Sequence, residues 1–436
     1  MNGSTIKVKE NAAIGEKYYY IKHKSGLDIY VIPKKLSTYY AMFGTKYGSV
    51  HNKFRIKGEE EYTEVPDGIA HFLEHKMFEN EDGVDTFARF AETGASANAY
   101  TSFLCTMYLF SCTDNFDESL EILLDYVTKP YFTEQSVQKE QGIIAQEIRM
   151  GEDNPGRALL FGMLRSMYKN HNARIDIAGT VESIAKIDHH LLYKCYNTFY
   201  NLGNMALCVS GDVTPEQVIA VADKVLKPQE THEVECVQYE EEPQVYRPRF
   251  SRRMQVAKPL FAIGVKDVEL SEDPYERMKK NAAMTVLVNM LFGRASEFFN
   301  ELYKEGLISQ NFGAWHDHNH SMSLVCIQGD SDQPEKVYER FVEYIDKMKR
   351  EGLSADDFER CHRVMYSSYI KGFDSTAEIV NNFLGNFVFE GGDMLDYADI
   401  IRGLDFDYTS AVFNTVFEDT HYTLATVLPL EESEKV

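Results

Sequence analysis

The apolar residues of this chain recur with two different periods. Leu27, Ile29 and Val31 alternate with polar neighbours, which predicts a half-buried strand. Met107–Phe110 and Met205–Val209 are short apolar runs that predict further strands, and Gly94–Ser102 reads as a strand entered from a turn. Leu120–Val127 carries instead the three-to-four spacing of an amphipathic helix. A longer helix is predicted from Thr133 to Met150. Thr133 suits its N-cap, Glu134 its first turn, and Val137, Ile143, Ile144 and Ile148 its apolar face. Ile69, Phe72, Leu73 and Met77 predict a shorter helix with Asp67 as N-cap.

The pattern repeats. Ile69–Phe78 aligns with Ala283–Phe292, Phe132-Thr133-Glu134 with Leu353-Ser354-Ala355, and Asn197-Thr198-Phe199-Tyr200 with Asn414-Thr415-Val416-Phe417, all in the same order. Two copies of one unit are therefore expected, 1–227 and 249–436. Between them, at 228–248, Pro228, Pro243 and a run of glutamates interrupt the apolar periodicity as an acidic linker. Strands in hairpin-like groups with long helices between them give an α+β class, each half a largely antiparallel sheet covered by helices on one face.

Composition narrows the function. A 44% hydrophobic and 13% aromatic content is that of a folded globular protein. The net charge of −23 and the absence of a basic stripe argue against nucleic acid and against an anionic membrane surface. Seven scattered cysteines without a C-x-x-C spacing suit a reducing compartment. No apolar run of membrane-spanning length occurs, Met1–Lys7 leads into no apolar signal core, and Glu10 and Glu16 disfavour a transit peptide. A cytoplasmic protein is expected.

The chemistry concentrates in His71-Phe72-Leu73-Glu74-His75. On a helix the two histidines lie one turn apart on one side and can grip a single ion. Glu74 faces the same way. This is H-x-x-E-H, the reverse of the commoner H-E-x-x-H zinc helix. A catalytic zinc usually has three protein ligands, so a third is required. Glu140 and Glu147 share a face of the Thr133–Met150 helix and supply candidates; otherwise they are solvated surface carboxylates. In the second copy His71, Glu74, His75 and Glu147 map to Thr285, Val288, Asn289 and Ser368, so the metal residues are gone there. A second histidine cluster, His316-Asp317-His318-Asn319-His320, reads as a hairpin turn rather than a metal site.

His71-x-x-Glu74-His75 followed by Glu140-x(6)-Glu147 resembles the inverted zinc peptidases, the family of insulinase, pitrilysin and the mitochondrial processing peptidase. Gly179-Thr180-Val181-Glu182-Ser183-Ile184, Phe199–Met205, Ser210-Gly211-Asp212-Val213 and Asn98-Ala99-Tyr100-Thr101-Ser102 are similar to further runs of that family, and the match covers most of residues 20–430. The resemblance implies two halves of a metallopeptidase around a substrate chamber, with one Zn2+ per chain on His71, His75 and Glu147. Glu74 is then the general base toward a water whose pKa zinc lowers to about 7. Glu140 supports a histidine, and Asn98, Ala99, Tyr100 and Thr101 form the strand to which an extended peptide adds. The chain departs from the family in one place. Where a stretch like L-R-x-x-G-L-x-Y is usual, Leu302–Ser309 carries Tyr303 and Ser309 in place of Arg and Tyr. A paralogous subunit bringing that pair, or a homodimer, is therefore expected. The competing readings are a catalytically silent scaffold or partner subunit, and a peptide-binding chaperone. The intact motif favours the enzyme, and manganese or cobalt could occupy the same ligands.

Overall fold

The computed structural model describes residues 4–431. The extremes of the two expected halves, 1–3 and 432–436, lie outside the described residues, as do the first three residues read for a targeting leader. The chain forms two compact units, neither continuous in sequence. The first runs to Ile148 and adds Asp176–Val237 and Ile370–Asp396. The second takes Arg149–Ile175, Gln238–Tyr369 and the chain from Tyr397 onward. Each half of the sequence thus sends a segment into the other's unit.

The first unit is built on β1 (Thr5–Asn11), β2 (Glu16–Lys22), β3 (Asp28–Pro33), β4 (Tyr39–Thr45), β5 (Lys53–Ile56), β6 (Thr63–Glu64), β7 (Ser96–Thr101), β8 (Thr106–Cys112), β9 (Met205–Gly211) and β10 (Val234–Cys236). Seven strands form one sheet in the order β1-β2-β3-β9-β4-β8-β7. Only β3 and β9 pair in parallel. The strands expected at Leu27–Val31, 107–110 and 205–209 are β3, β8 and β9. Strand β10, inside the acidic stretch 228–248, pairs with β5. The second unit carries β11 (Arg249–Met254), β12 (Leu260–Asp267), β13 (Gly313–His318), β14 (Ser323–Asp330) and β15 (Tyr422–Pro429), ordered β11-β15-β12-β14-β13. It repeats the plan β3-β9-β4-β8-β7, including one parallel pair at the same place. The two halves are copies of one α+β design.

The helices are α1 (Ile69–Lys76), α2 (Thr86–Thr93), α3 (Phe116–Val127), α4 (Glu134–Glu152), α5 (Pro155–Met167), α6 (Val181–Ile184), α7 (His189–Phe199), α8 (Pro215–Val225), α9 (Pro274–Phe292), α10 (Glu297–Lys304), α11 (Pro334–Glu351), α12 (Ala355–Gly372), α13 (Thr376–Asn381), α14 (Met394–Gly403) and α15 (Phe406–Val416), with a π-helical stretch at Asn382–Val388. Local sequence sets their starts. The Thr133 hydroxyl accepts the Ser136 N–H at 3.1 Å, and in the second copy Ser354 accepts from Asp357 at 3.2 Å. Ile143, expected on the apolar face of α4, is exposed.

Helices cover both faces of the first sheet, where one face was expected. Tyr39 of β4 packs on Phe116 of α3, while its neighbour Tyr40 accepts a hydrogen bond from Asn381 of α13. Successive strand residues point to opposite faces, so α3 and α13 lie on opposite sides. The second layer comes from residues 370–396, a contribution that no reading of local period reveals. The core of the α1–α3 face includes Phe43, Tyr47, Phe54, Phe72, Tyr108, Phe110 and Phe199, all fully buried.

The histidine cluster is also placed differently. His316 and His318 belong to β13, and the turn begins only at Asn319, whose side chain accepts the N–H groups of Ser321 and Met322 at 2.9 Å. Among the described residues these histidines form no three-ligand metal group.

Candidate active site

Helix α1 does not start as its sequence suggests. Its N-cap is Gly68, with φ +89° and no side-chain cap, while Asp67 accepts a hydrogen bond from Asn52 at 2.9 Å. The reason is a close backbone approach. A Cβ on Gly68 would stand 2.4 Å from the Ala178 carbonyl oxygen, and one on Gly179 (φ +72°) would stand 2.5 Å from that of Asp67. Only glycine meets both demands, positive φ and no Cβ. The Ser183 hydroxyl then donates to Asp67 O at 2.8 Å. The run Gly179–Ile184 is thus a buttress that fixes where α1 begins.

From that start α1 presents His71 and His75 to α4. His71 Nε2 lies 3.5 Å from Glu147 Oε1, and His75 Nε2 lies 3.5 Å from Glu147 Oε2. His71, His75 and Glu147 form the metal-capable trio among the described residues, their ligand atoms all within 4.8 Å of one another. Two ligands each about 2.0–2.1 Å from a tetrahedral zinc sit about 3.3 Å apart, so the spacing fits the ion. Two imidazoles with one carboxylate also match the donor set of a catalytic zinc that keeps an open position. Glu140, two turns before Glu147, is buried, and its Oε1 lies 3.0 Å from His75 Nδ1. A hydrogen on Nδ1 pointing at Glu140 leaves the Nε2 lone pair for the metal. Burial alone would lower the His75 pKa, but the Glu140 hydrogen bond and the charges of Glu74, Glu140 and Glu147 hold it above its ordinary value. Burial alone would raise the Glu140 pKa, but the His75 hydrogen bond and the charges of His75, Lys76 and Lys139 together hold it below its ordinary value.

Glu74 is buried between α1 and β7. Burial pushes its carboxyl up, against the pull of the Thr101 hydroxyl and of His75. Thr101 donates to Glu74 Oε2 at 2.7 Å. Around this region stand Tyr108, Tyr126 and Tyr200, all buried, with the Tyr108 and Tyr200 hydroxyls 2.7 Å apart. Strand β7 is the last of its sheet and pairs only with β8. On it Ala97 and Ala99 pack toward the core, while Asn98 is exposed and Tyr100 is 37% exposed. The Asn98 side chain accepts the Ala99 N–H at 2.9 Å. Expectation from sequence missed the tyrosines, the Gly68–Gly179 contact and Lys76, whose fully buried side chain ion-pairs with Glu79. Of these, Gly68, three residues before the metal run, and Gly179 carried a signal that conformational reasoning could have used.

In the second unit, the two residues that depart from the family pattern have structural partners. Tyr303 stacks on Phe299, with ring centroids 5.5 Å apart, and Ser309 donates to Asp330 at 2.7 Å.

The chain was compared with known proteins. The profile of insulinase (peptidase family M16) matches residues 59–181, and that of the peptidase M16 inactive domain matches residues 186–365. An uncharacterized zinc protease of Bacillus subtilis, YmfH, is 38% identical over 434 residues, covering 97% of this chain and 99% of its own. The mitochondrial-processing peptidase subunit beta of Caenorhabditis elegans is 30% identical over 172 residues, 38% of this chain and 37% of its own. Among solved structures, an M16-like peptidase from Alicyclobacillus acidocaldarius superposes with a TM-score of 0.90 at 32% identity, covering 99% of both chains. With the H-x-x-E-H helix, a distant glutamate brought to it and relatives of this extent, the chain belongs to the insulinase family, peptidase family M16.

Proposed function

We propose that the protein is a zinc-dependent endopeptidase that hydrolyses peptides or unfolded polypeptide segments. The observation that carries this reading is the convergence of His71 Nε2, His75 Nε2 and both Glu147 oxygens beside the buried Glu74. His71, His75 and Glu147 would hold the zinc, which when bound supplies Lewis acidity and an activated water. Glu74 takes a proton from the attacking water and delivers it to the leaving amine. Its raised pKa suits a base that must also release the proton. Glu140 keeps His75 in one tautomer and one orientation. The open edge of β7, at Asn98, Ala99, Tyr100 and Thr101, offers backbone groups to an extended substrate, giving broad tolerance of sequence.

A second reading concerns assembly. Tyr303 and Ser309 stand where an Arg and a Tyr would help position substrate, so a paralogous subunit or a second copy completes the site. The likeness to a processing-peptidase subunit beta supports the idea of paired chains. A silent scaffold or a peptide-binding chaperone is the reading to beat. A cytoplasmic setting accords with the cysteine usage, and no helix of the described residues is long and apolar enough to cross a membrane. The test is cleavage of an unfolded peptide library read by mass spectrometry, with wild type and Glu74→Gln in zinc. Products from wild type alone support the peptidase. Cleavage by Glu74→Gln at the wild-type rate overturns the assignment of the base. No products from wild type, alone or with a paralogue, would favour the scaffold.

A further inference from the structure

We infer that the side chain of Thr101 is a positioning residue for Glu74, separate from any part its backbone plays in holding a peptide; this rests on the peptidase reading above. Thr106, paired with Thr101 across the β7–β8 hairpin, donates its hydroxyl hydrogen to the Tyr47 carbonyl at 2.8 Å. A carbonyl only accepts, so that hydrogen is committed. The Thr101 and Thr106 oxygens are 3.3 Å apart, but Thr106 has no hydrogen left to offer. The Thr106 oxygen could still accept, but Glu74 Oε2 is nearer to Thr101, at 2.7 Å, and is the stronger acceptor, so the Thr101 hydrogen goes to Glu74. An ionised carboxylate is an acceptor only, and a hydrogen bond to it is among the stronger kinds.

This donor stands on a fixed platform. Thr101 ends β7, and the next residues close a tight turn in which the Ser102 N–H reaches Cys105 O at 2.8 Å. The turn is tied to a second segment, with Ser49 N donating to Ser102 O at 3.0 Å and Val50 N to Phe103 O at 3.1 Å. A Cβ on Gly48 would stand 2.4 Å from Phe103 O, so the two backbones lie as close as glycine permits. The hydroxyl is thus placed before any substrate arrives, which is what orientation of a catalytic group needs. Because Oε2 is held, Oε1 is the oxygen of Glu74 left to receive a proton. Without the hydroxyl the carboxylate could turn about its last bond, whose rotation is soft. The competing account is that Thr101 merely fills its strand position.

Thr101→Val keeps the branched shape and removes the hydroxyl; Thr101→Ser keeps the hydroxyl. Each is compared with wild type and Glu74→Gln for kcat, KM and zinc content, and by crystal structures of the zinc-loaded proteins. A positioned general base contributes about 10²–10⁴-fold. Loss of its orientation is expected to lower kcat of Thr101→Val by about tenfold to a hundredfold, with KM within about twofold and zinc content unchanged. Thr101→Ser should recover most of the loss. The crystals should show the Glu74 carboxylate rotated in Thr101→Val and native in Thr101→Ser. Normal kcat in Thr101→Val beside a dead Glu74→Gln overturns the inference and leaves the peptidase standing. A raised KM at unchanged kcat, lost zinc, or no rescue by serine also overturns it. An active Glu74→Gln would instead remove Glu74 as the base, the assignment on which this inference rests. Should wild type cleave nothing, the crystals decide, and an unmoved carboxylate in Thr101→Val refutes the proposal.

Discussion

Gly68→Ala is the sharpest test of how the metal helix is held. Glycine at this N-cap has φ +89°, where a Cβ costs about 1–2 kcal/mol. The added carbon would also meet the Ala178 carbonyl oxygen at 2.4 Å, when real Cβ contacts essentially never fall below 3.0 Å. The two backbones must therefore part by roughly 0.6 Å, and strain of that kind costs a further 1–3 kcal/mol or so. A loss of about 2–5 kcal/mol follows, a fall in Tm on the order of 4–20 °C. His71 lies three residues further on, so part of the displacement reaches the site. A misplacement near 1 Å can cost about 10²-fold in rate, and cleavage should fall at least about tenfold at temperatures where the variant is folded. Gly142→Ala is the control. It lies inside α4, nothing stands within 4 Å of its added carbon, and it should be neutral or stabilising by about 0.5–1 kcal/mol. The assays are thermal unfolding and peptide cleavage on the same zinc-loaded samples. A Gly68→Ala protein with wild-type Tm and wild-type rate would refute the reasoning.

The other predictions concern the candidate ligands and two histidines, His171 buried and His316 half-buried. Glu147→Gln should reduce bound zinc to a small fraction of wild type, as metal analysis after dialysis will show; full retention would remove Glu147 from the ligand set. Glu140→Gln is expected to keep its zinc but lose about tenfold in rate, whereas Glu140→Ala should lose about 10–100-fold in zinc affinity in chelator competition. If neither changes, Glu140 has no role at the site. Before zinc binds, the His75 pKa is raised above 6.5, so zinc affinity should fall as pH drops through that raised value, and Glu140→Gln should move the fall to lower pH. Titrations at several pH values that coincide for the two proteins would contradict this. Burial pushes His171 and His316 down to about 4. The Ala173 N–H donates to His171 Nδ1 at 3.0 Å, a bond that only the unprotonated ring can accept. Their folded pKa values lie below the unfolded value near 6.5, so their contribution is complete above about 6.5 and is lost as pH falls toward 4. Thermal unfolding between pH 6.5 and 5 should therefore decline less steeply in a His171→Asn, His316→Asn double variant, and equal slopes would argue against it.

Much of the site was legible because its chemistry is local or periodic. His71, Glu74 and His75 lie within one turn or so, and Glu147 is reached by a helix whose cap and apolar spacing are plain. The edge strand at Asn98–Thr101 alternates as written. What escaped depends on residues far apart in sequence. Asp67 is a good N-cap by type, yet the approach of residue 178 forces glycine into that role. His316 reads as turn-like among Asp and Asn neighbours, but its ring is drawn into a strand by Thr285, 2.9 Å from its Nε2. The second layer of helix on the first sheet comes from residues 370–396, beyond every strand of that sheet, which no window of local pattern contains.

That last arrangement has a consequence for how the protein is made. The unit bearing the candidate metal ligands includes Ile370–Asp396, so on a ribosome its sheet stays uncovered on one face until residue 396 of 436 has emerged. The apolar surface that waits for those residues is the kind that attracts chaperones and invites aggregation. A nascent chain halted between residues 249 and 395 carries every candidate metal ligand and still cannot finish the unit that holds them. Synthesis thus builds in a delay: the candidate ligands come first, and the last layer of their unit comes almost at the end.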